Sequence, residues 1–299
     1  LSKVIHNESW LLKRNGYTIR IGGRCFLDMR RADVSAYLED KVIGLLKKYK
    51  FDYIKVDYNE SIGVGCDGAE SLGEGLRRNM ECSRAFFRKM RREIPELIIE
   101  NCSSGGHRTE PSMMEISAMA SFSDAHECAE IPIIAANMHR MILPGQSQIW
   151  AVLRKEDSVE RLTYSLAASF LGVMCLSGDV CDLNADQWAQ VEKGIAFYRC
   201  CAALISDGKS QFFGPKIESY RQPQGWQAVM RTGEHTRDAL VVAHCFAGQA
   251  PMTVEIPISG AKAIGQVFCD PSAQVFLVEG GLAITFSKEF TAAAVRIER

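Results

Sequence analysis

The sequence predicts a parallel α/β domain followed by a small antiparallel β-domain. Up to about residue 207, short apolar runs alternate with helical patterns. Those runs are too continuously apolar for strands wet on one face, which argues for a parallel sheet covered on both. Beyond Asp207, short strand-like runs succeed one another with turn signals between them.

The first strong helix is Asp33 to Tyr49. Asp33 is placed to cap it, and Val34, Tyr37, Leu38, Val42, Leu45, Leu46 and Tyr49 share one face. A strand comes next at Phe51 to Tyr58, then a Gly-rich loop from Ile62 to Gly75 and a helix from Leu76 to Arg92. Leu97 to Glu100 reads as a buried strand. Ile133 to Leu143 is helical, Gln148 to Val152 extended, Ser158 to Leu171 helical, Val173 to Leu176 extended and Ala185 to Ile205 helical. A barrel and an open doubly wound sheet both fit this order. The later strands are Trp226 to Arg231, Leu240 to Phe246, Met252 to Ile256, Gln266 to Cys269, Gln274 to Val278, Leu282 to Phe286 and Ala293 to Ile297. Thr232-Gly233, Ala247-Gly248, Ser259-Gly260, Asp270-Pro271 and Gly280-Gly281 punctuate them, as in a β-sandwich. The expected division is residues 1–207 and 208–299.

The chain has 299 residues, 47% of them hydrophobic, and a formal net charge of −1. Charges of both signs are mixed and no basic tail occurs, so neither nucleic acid nor a membrane surface is an expected partner. The 11 cysteines form no CxxC pair and no zinc-type spacing with histidine. No metal is expected. A scattered, odd set of thiols favours a reducing compartment, and the expected location is cytoplasmic. No signal peptide and no membrane-spanning run is visible. The chain opens on Leu1 in mid-pattern, so an upstream segment is expected.

In a parallel α/β fold the functional residues gather at the carboxyl ends of the strands. Three such ends carry polar residues. In Lys55-Val56-Asp57-Tyr58-Asn59, the cation, carboxylate and amide share one strand face by their period of two. That face lines a polar cavity or forms a paired structural network. In Glu100-Asn101-Cys102-Ser103-Ser104-Gly105-Gly106 an apolar strand runs into small residues that let backbone approach a ligand. A plain strand-to-loop turn is the alternative. In Ser121-Phe122-Ser123-Asp124-Ala125-His126-Glu127, Asp124 is either a second carboxylate or part of a variant capping box with Glu127. Paired carboxylates suit glycoside cleavage, where one attacks the anomeric carbon and the other handles the proton. The glycines between Ser61 and Gly75 lack the Gly-Lys-Ser/Thr ending of a phosphate loop.

At these residues the sequence resembles the bacterial α-galactosidases of glycoside hydrolase family 36. The family's Lys-x-Asp-x-Asn signature reads Lys55 to Asn59, its Cys-x-Ser-Gly-Gly stretch reads Cys102 to Gly106 with Arg108 just beyond, and its Ser-Asp pair reads Ser123-Asp124. Leu176-Ser177-Gly178-Asp179 is similar to its eighth-strand region. The resemblance implies a (β/α)₈ barrel plus a C-terminal sandwich, with the first barrel strands missing from this chain. It implies Asp57 as nucleophile and Asp124 as acid/base, with Lys55, Asn59, Cys102, Gly105 and Ser123 binding sugar. It implies no cofactor and an oligosaccharide or glycoconjugate as the substrate. Family members often associate, so the resemblance admits a homo-oligomer. Ser121-Phe122 replaces a common Trp-Thr, and Ala125-His126-Glu127 replaces an Asp-rich run, which opens the choice between α-galactose and α-N-acetylgalactosamine. A non-catalytic carbohydrate-binding or structural segment is the alternative from another class. Trp10 reads as a core residue or a sugar contact, His107, His126 and His139 are not at metal spacing, and Asp179 is either a cap or a substrate contact.

Overall fold

The computed structural model describes residues 7–57, 59–102, 105–121, 124, 128–233 and 236–299, to which every structural statement below refers. The chain divides into two compact units, Leu1–Met119 and Ala120–Arg299.

The first unit opens with two small hairpins, β1 (Lys13–Arg14) with β2 (Tyr17–Thr18) and β3 (Arg20–Ile21) with β4 (Arg24–Cys25). Asn15 and Gly16 both take positive φ, 52° and 82°, which suits the tight turn joining β1 to β2. The expected helix from Asp33 is interrupted. It runs as α1 (Ala32–Leu38), a π-helical stretch Glu39–Ile43, and α2 (Gly44–Tyr49). The wider π-turn rotates α2 about the helix axis relative to α1. Ile43 and Leu46 are therefore buried, whereas Leu45 and Tyr49, expected on the apolar face, are exposed. Asp33 is not the cap, because Arg31 holds that position. The Asp33 carboxylate instead accepts from the Trp10 indole at 2.9 Å and from Arg31 at 3.0 and 2.9 Å.

Strand β5 (Tyr53–Val56) leads into the Gly-rich loop and α3 (Leu72–Glu93). This helix starts four residues before the expected Leu76. Ser71 Oγ accepts the Glu74 N–H at 3.1 Å, and that cap outweighs the cost of Gly73 and Gly75 in the first turns. Gly75 is needed there, since a Cβ would stand 2.1 Å from the Cys66 carbonyl oxygen. Strand β6 (Ile98–Asn101) pairs with β5 in parallel and precedes the short α4 (Pro111–Met114). Ile54 and Val56 of β5 pack with Phe87, Met90, Ile99, Met113 and Ile116 in the core of this unit.

Strand β7 (Met119–Ser121) straddles the division. The second unit continues with α5 (Ile131–Met138), β8 (Ser147–Leu153), α6 (Val159–Ser169), β9 (Val173–Gly178) and α7 (Ala185–Asp207). Strands β7, β8 and β9 pair in parallel in sequence order. Helix α5 begins two residues before the expected Ile133 and stops at Met138, and a 3₁₀ turn at Pro144–Gln146 leads into β8. Alternating parallel strands and helices establish the α/β class.

Two antiparallel sheets complete the second unit. Strands β10 (Lys209–Phe213), β11 (Trp226–Thr232), β12 (Ala239–Cys245), β17 (Thr291–Glu298) and β14 (Ala263–Cys269) form one, in that spatial order. Strands β13 (Met252–Pro257), β16 (Gly281–Phe286) and β15 (Ala273–Val278) form the other. Val241, Val254, Ile284, Phe286 and Val295 belong to one apolar cluster, so the two sheets share a core. Helix α6 lies against this β-region through Tyr164 and His244, whose rings are 5.0 Å apart, and Phe170 meets Phe268 at 5.2 Å. All eleven cysteines are free thiols. Among the described residues, no helix is long and apolar enough to cross a membrane.

Candidate active site

The candidate site of the first unit grows from the pleat of β5. Ile54 and Val56 point to the core, so Tyr53, Lys55 and Asp57 point the other way. Asp57 comes just after the last strand residue and is exposed. On β6, Glu100 and Cys102 share the parity that faces this row. Lys55 and Glu100 are direct register partners, and Lys55 Nζ lies 3.2 Å from Glu100 Oε1. The Glu100 side chain is only 2% exposed, and it also accepts the Tyr53 hydroxyl.

Cys102 repeats the arrangement one step along. Its N–H donates to the Val56 carbonyl at 3.0 Å, and its thiol lies within the electrostatic reach of Asp57, Lys55 and the Gly105 N–H. Burial pushes the Cys102 thiol pKa up, Lys55 pulls it down, and Asp57 adds to the rise. Gly105 and Gly106 take φ of 70° and 103°, a backbone that L side chains disfavour. The loops after β5 and β6 are tied together. Buried Asn101 donates to the Arg108 carbonyl at 2.5 Å, and Arg108 donates to the Glu60 carbonyl at 3.3 Å. Asp57, Asn59, Glu60, His107 and Arg108 line a cavity of about 920 Å³ whose other walls include Leu27, Val56, Met80 and Phe87, on the core side of β5.

The structure thus brings together Lys55, Asp57, Cys102 and Gly105, with Asn59 on the same cavity as Asp57. Asp124 lies beyond the end of β7 and is exposed. The next helix, α5, starts at Ile131 with Glu130 at its cap, so Asp124 caps no described helix. Ser123, and with it Phe122, Ala125, His126 and Glu127, lies outside the described residues, as do Tyr58, Ser103 and Ser104. Beside β7, Ser121 Oγ donates to Gln148 Oε1 at 3.1 Å, which also accepts the Trp150 indole at 2.9 Å.

Asp179 pairs with Arg154 at 3.5 Å and accepts the Lys155 N–H at 3.4 Å, holding the end of β9 to the loop after β8. Its side chain caps nothing. Trp10 is half-buried, and its ring centroid lies 5.3 Å from that of Tyr37. His139 is a structural group, placed between the Leu171 carbonyl and Ser210 Oγ. Among the described residues, no group of three or more His, Cys, Asp or Glu could hold a metal.

Sequence reasoning missed Tyr53, Glu100 and Glu60. The signal for the first two was parity. Tyr53 precedes Lys55 by two on one strand, and Glu100 precedes Cys102 by two on the next.

A family model described as Melibiase matches residues 2–208. The bifunctional alpha-galactosidase/sucrose kinase AgaSK of Mediterraneibacter gnavus is 23% identical over 276 residues, covering 86% of this chain and 27% of that protein. Alpha-galactosidase 2 of Pediococcus pentosaceus is 31% identical over 101 residues, 33% of this chain and 14% of that protein. Among solved structures, the GH36 α-galactosidase AgaA of Geobacillus stearothermophilus, bound to 1-deoxygalactonojirimycin, superposes with a TM-score of 0.80 at 18% identity. That match covers 99% of this chain and 42% of AgaA. AgaA has also been solved with raffinose and with stachyose. The chain therefore spans well under half the length of these relatives.

Proposed function

Because this chain belongs to the Melibiase family, we propose that the protein is a retaining glycoside hydrolase that removes terminal α-linked galactose from oligosaccharides. The observation that carries the reading is the cluster of Asp57, Lys55 and Cys102 at the carboxyl ends of two adjacent parallel strands, with Asp57 exposed. Catalytic groups of α/β folds gather at such strand ends.

In this mechanism Asp57 attacks the anomeric carbon while Asp124 protonates the departing oxygen. A glycosyl–Asp57 ester forms. Asp124, now a carboxylate, takes a proton from water, which attacks the anomeric carbon and frees Asp57 with net retention. Lys55 and Asn59 hold sugar hydroxyls, and Cys102, Gly105 and Ser123 complete the pocket. No cofactor is needed, because two carboxylates suffice.

The same reading makes residues 1–207 part of a (β/α)₈ barrel and 208–299 a β-sandwich domain. The end of the family match at residue 208 and the core shared by the two antiparallel sheets support it. A cytoplasmic location fits the free thiols.

The test is hydrolysis of nitrophenyl α-galactoside and nitrophenyl α-N-acetylgalactosaminide by the protein, beside Asp57→Asn and Asp124→Ala. Cleavage of the galactoside, abolished by Asp57→Asn, is the expected result. Preference for the acetamido sugar would reassign the substrate. Inactivity on both, with the protein folded, would overturn the hydrolase reading.

A further inference from the structure

The Lys55 ammonium has two carboxylates within reach. Asp57 lies two residues on along the same strand face, about 6.5–7 Å away at the backbone, a span that a lysine stem covers. Glu100 lies directly across on β6 and is the one that Lys55 contacts, at 3.2 Å. Glu100 is nearly fully buried, and the Tyr53 hydroxyl converges on it beside Lys55. Lys55 itself is 38% exposed, so its ammonium keeps a face toward the open side of the strand.

A buried ion pair is a poor way to gain stability, since apolar replacements often do as well. The carboxylate of Glu100 therefore calls for a role other than holding the fold. We propose that Glu100 is a positioning residue that anchors the Lys55 ammonium away from Asp57, with the Tyr53 hydroxyl fixing the carboxylate. This rests on the reading of Asp57 as nucleophile. An ammonium paired to Asp57 would occupy the oxygen that attacks the sugar and would have to be displaced in every turnover. Anchored on Glu100, the same ammonium serves the sugar hydroxyls and leaves the attacking carboxylate to the anomeric carbon. Tyr53 and Lys55 thereby gather on Glu100, one step along the strands from Asp57 and Cys102.

The test combines a crystal structure of Glu100→Gln with kinetics on nitrophenyl α-galactoside. In the crystal, Lys55 Nζ is expected to leave position 100 and pair with Asp57. An ammonium that stays on β6 would overturn the proposal. In the kinetics, Glu100→Gln is expected to lower kcat by about thirtyfold with KM changed less than about threefold. The double variant with Lys55→Met should lose no more than Lys55→Met alone, because Glu100 acts through Lys55. Losses that multiply would overturn it as well. Should Glu100→Gln not fold, Tyr53→Phe removes a single hydroxyl, and a fall in kcat of about threefold is expected. Wild-type kcat in Tyr53→Phe, with Lys55 unmoved, would count against the anchor. If the wild-type protein cleaves no galactoside, the hydrolase reading fails, and the crystal structure still decides where Lys55 goes.

Discussion

Arg231 of β11 closes the end of α7 by donating from Nε to the Leu204 carbonyl at 3.0 Å. Its Nη2 reaches the Ile205 carbonyl at 2.7 Å and its Nη1 reaches Ser210 Oγ at 2.7 Å. The last carbonyls of a helix have no partner within the helix, and a cation there also meets the negative end of the helix dipole. Arg231 is 2% exposed, and burial lowers its pKa to about 10. Arg231→Ala should therefore cost about 3 kcal/mol of stability, since it takes the donor from the Ile205 carbonyl and weakens the hold on Leu204 and Ser210. Arg231→Lys should recover only part of that, lacking the planar fork. Urea denaturation of the three proteins measures both.

A buried histidine, His244, and a half-buried one, His139, set an acid limit. Burial lowers His139 to about 4 and His244 to about 3, from an ordinary value of 6.5. The folded protein thus keeps both rings neutral where the unfolded chain protonates them. Their contribution to stability is complete above about pH 6.5 and is lost as pH falls toward 4 and 3, by about 1.4 kcal/mol per pH unit for each fully developed site. Denaturation midpoints should fall steeply between about pH 6.5 and pH 4, and His244→Leu should remove one proton from that slope. An unchanged slope in the variant would contradict the assignment.

Gly75 should break the usual rule for glycine in helices. Alanine normally stabilises such a position by about 1 kcal/mol. Here its methyl would press on the Cys66 carbonyl, 2.1 Å away, so Gly75→Ala should destabilise by about 1–3 kcal/mol instead. Thermal unfolding beside Ser71→Ala, expected to cost about 1 kcal/mol through the lost cap, calibrates the effect.

Leaving-group dependence tests the role assigned to Asp124. With a good leaving group such as nitrophenolate, protonation matters little, whereas an alkyl oligosaccharide needs it. Asp124→Ala should lose about 10²–10⁴-fold on raffinose and far less on the aryl glycoside. An equal loss on both would argue against Asp124 as the acid.

The polar row on β5 was legible because strand parity is local. Lys55 and Asp57 could be assigned to one face from spacing alone, and Ile54 and Val56 confirm it from the other side. The parallel strands and most of the antiparallel ones were legible from apolar runs and turns. The π-turn after Leu38 was not, because nothing in Glu39–Ile43 departs from a good helical pattern. The start of α3 was misread because Gly73 and Gly75 look like loop residues, whereas Ser71 decides the matter through one hydrogen bond. Parity alone puts Glu100 on the face of Cys102, but its pairing with Lys55 follows from inter-strand register, which is not local. The Asn15-Gly16 pair is itself a plain hairpin signal, since both residues take positive φ.

The alternation along β5 also bears on how such a gene can change. Tyr53, Lys55 and Asp57 share the face opposite the core only because Ile54 and Val56 take the core side. Substitutions at any of these codons alter one contact. A single-codon insertion or deletion within the strand would turn its remaining residues over, sending Asp57 into the apolar layer and an aliphatic side chain to the polar face. This strand can accordingly vary in letters but not in length, and descendants should keep the count of residues between Tyr53 and Asp57 even where the residues themselves have drifted.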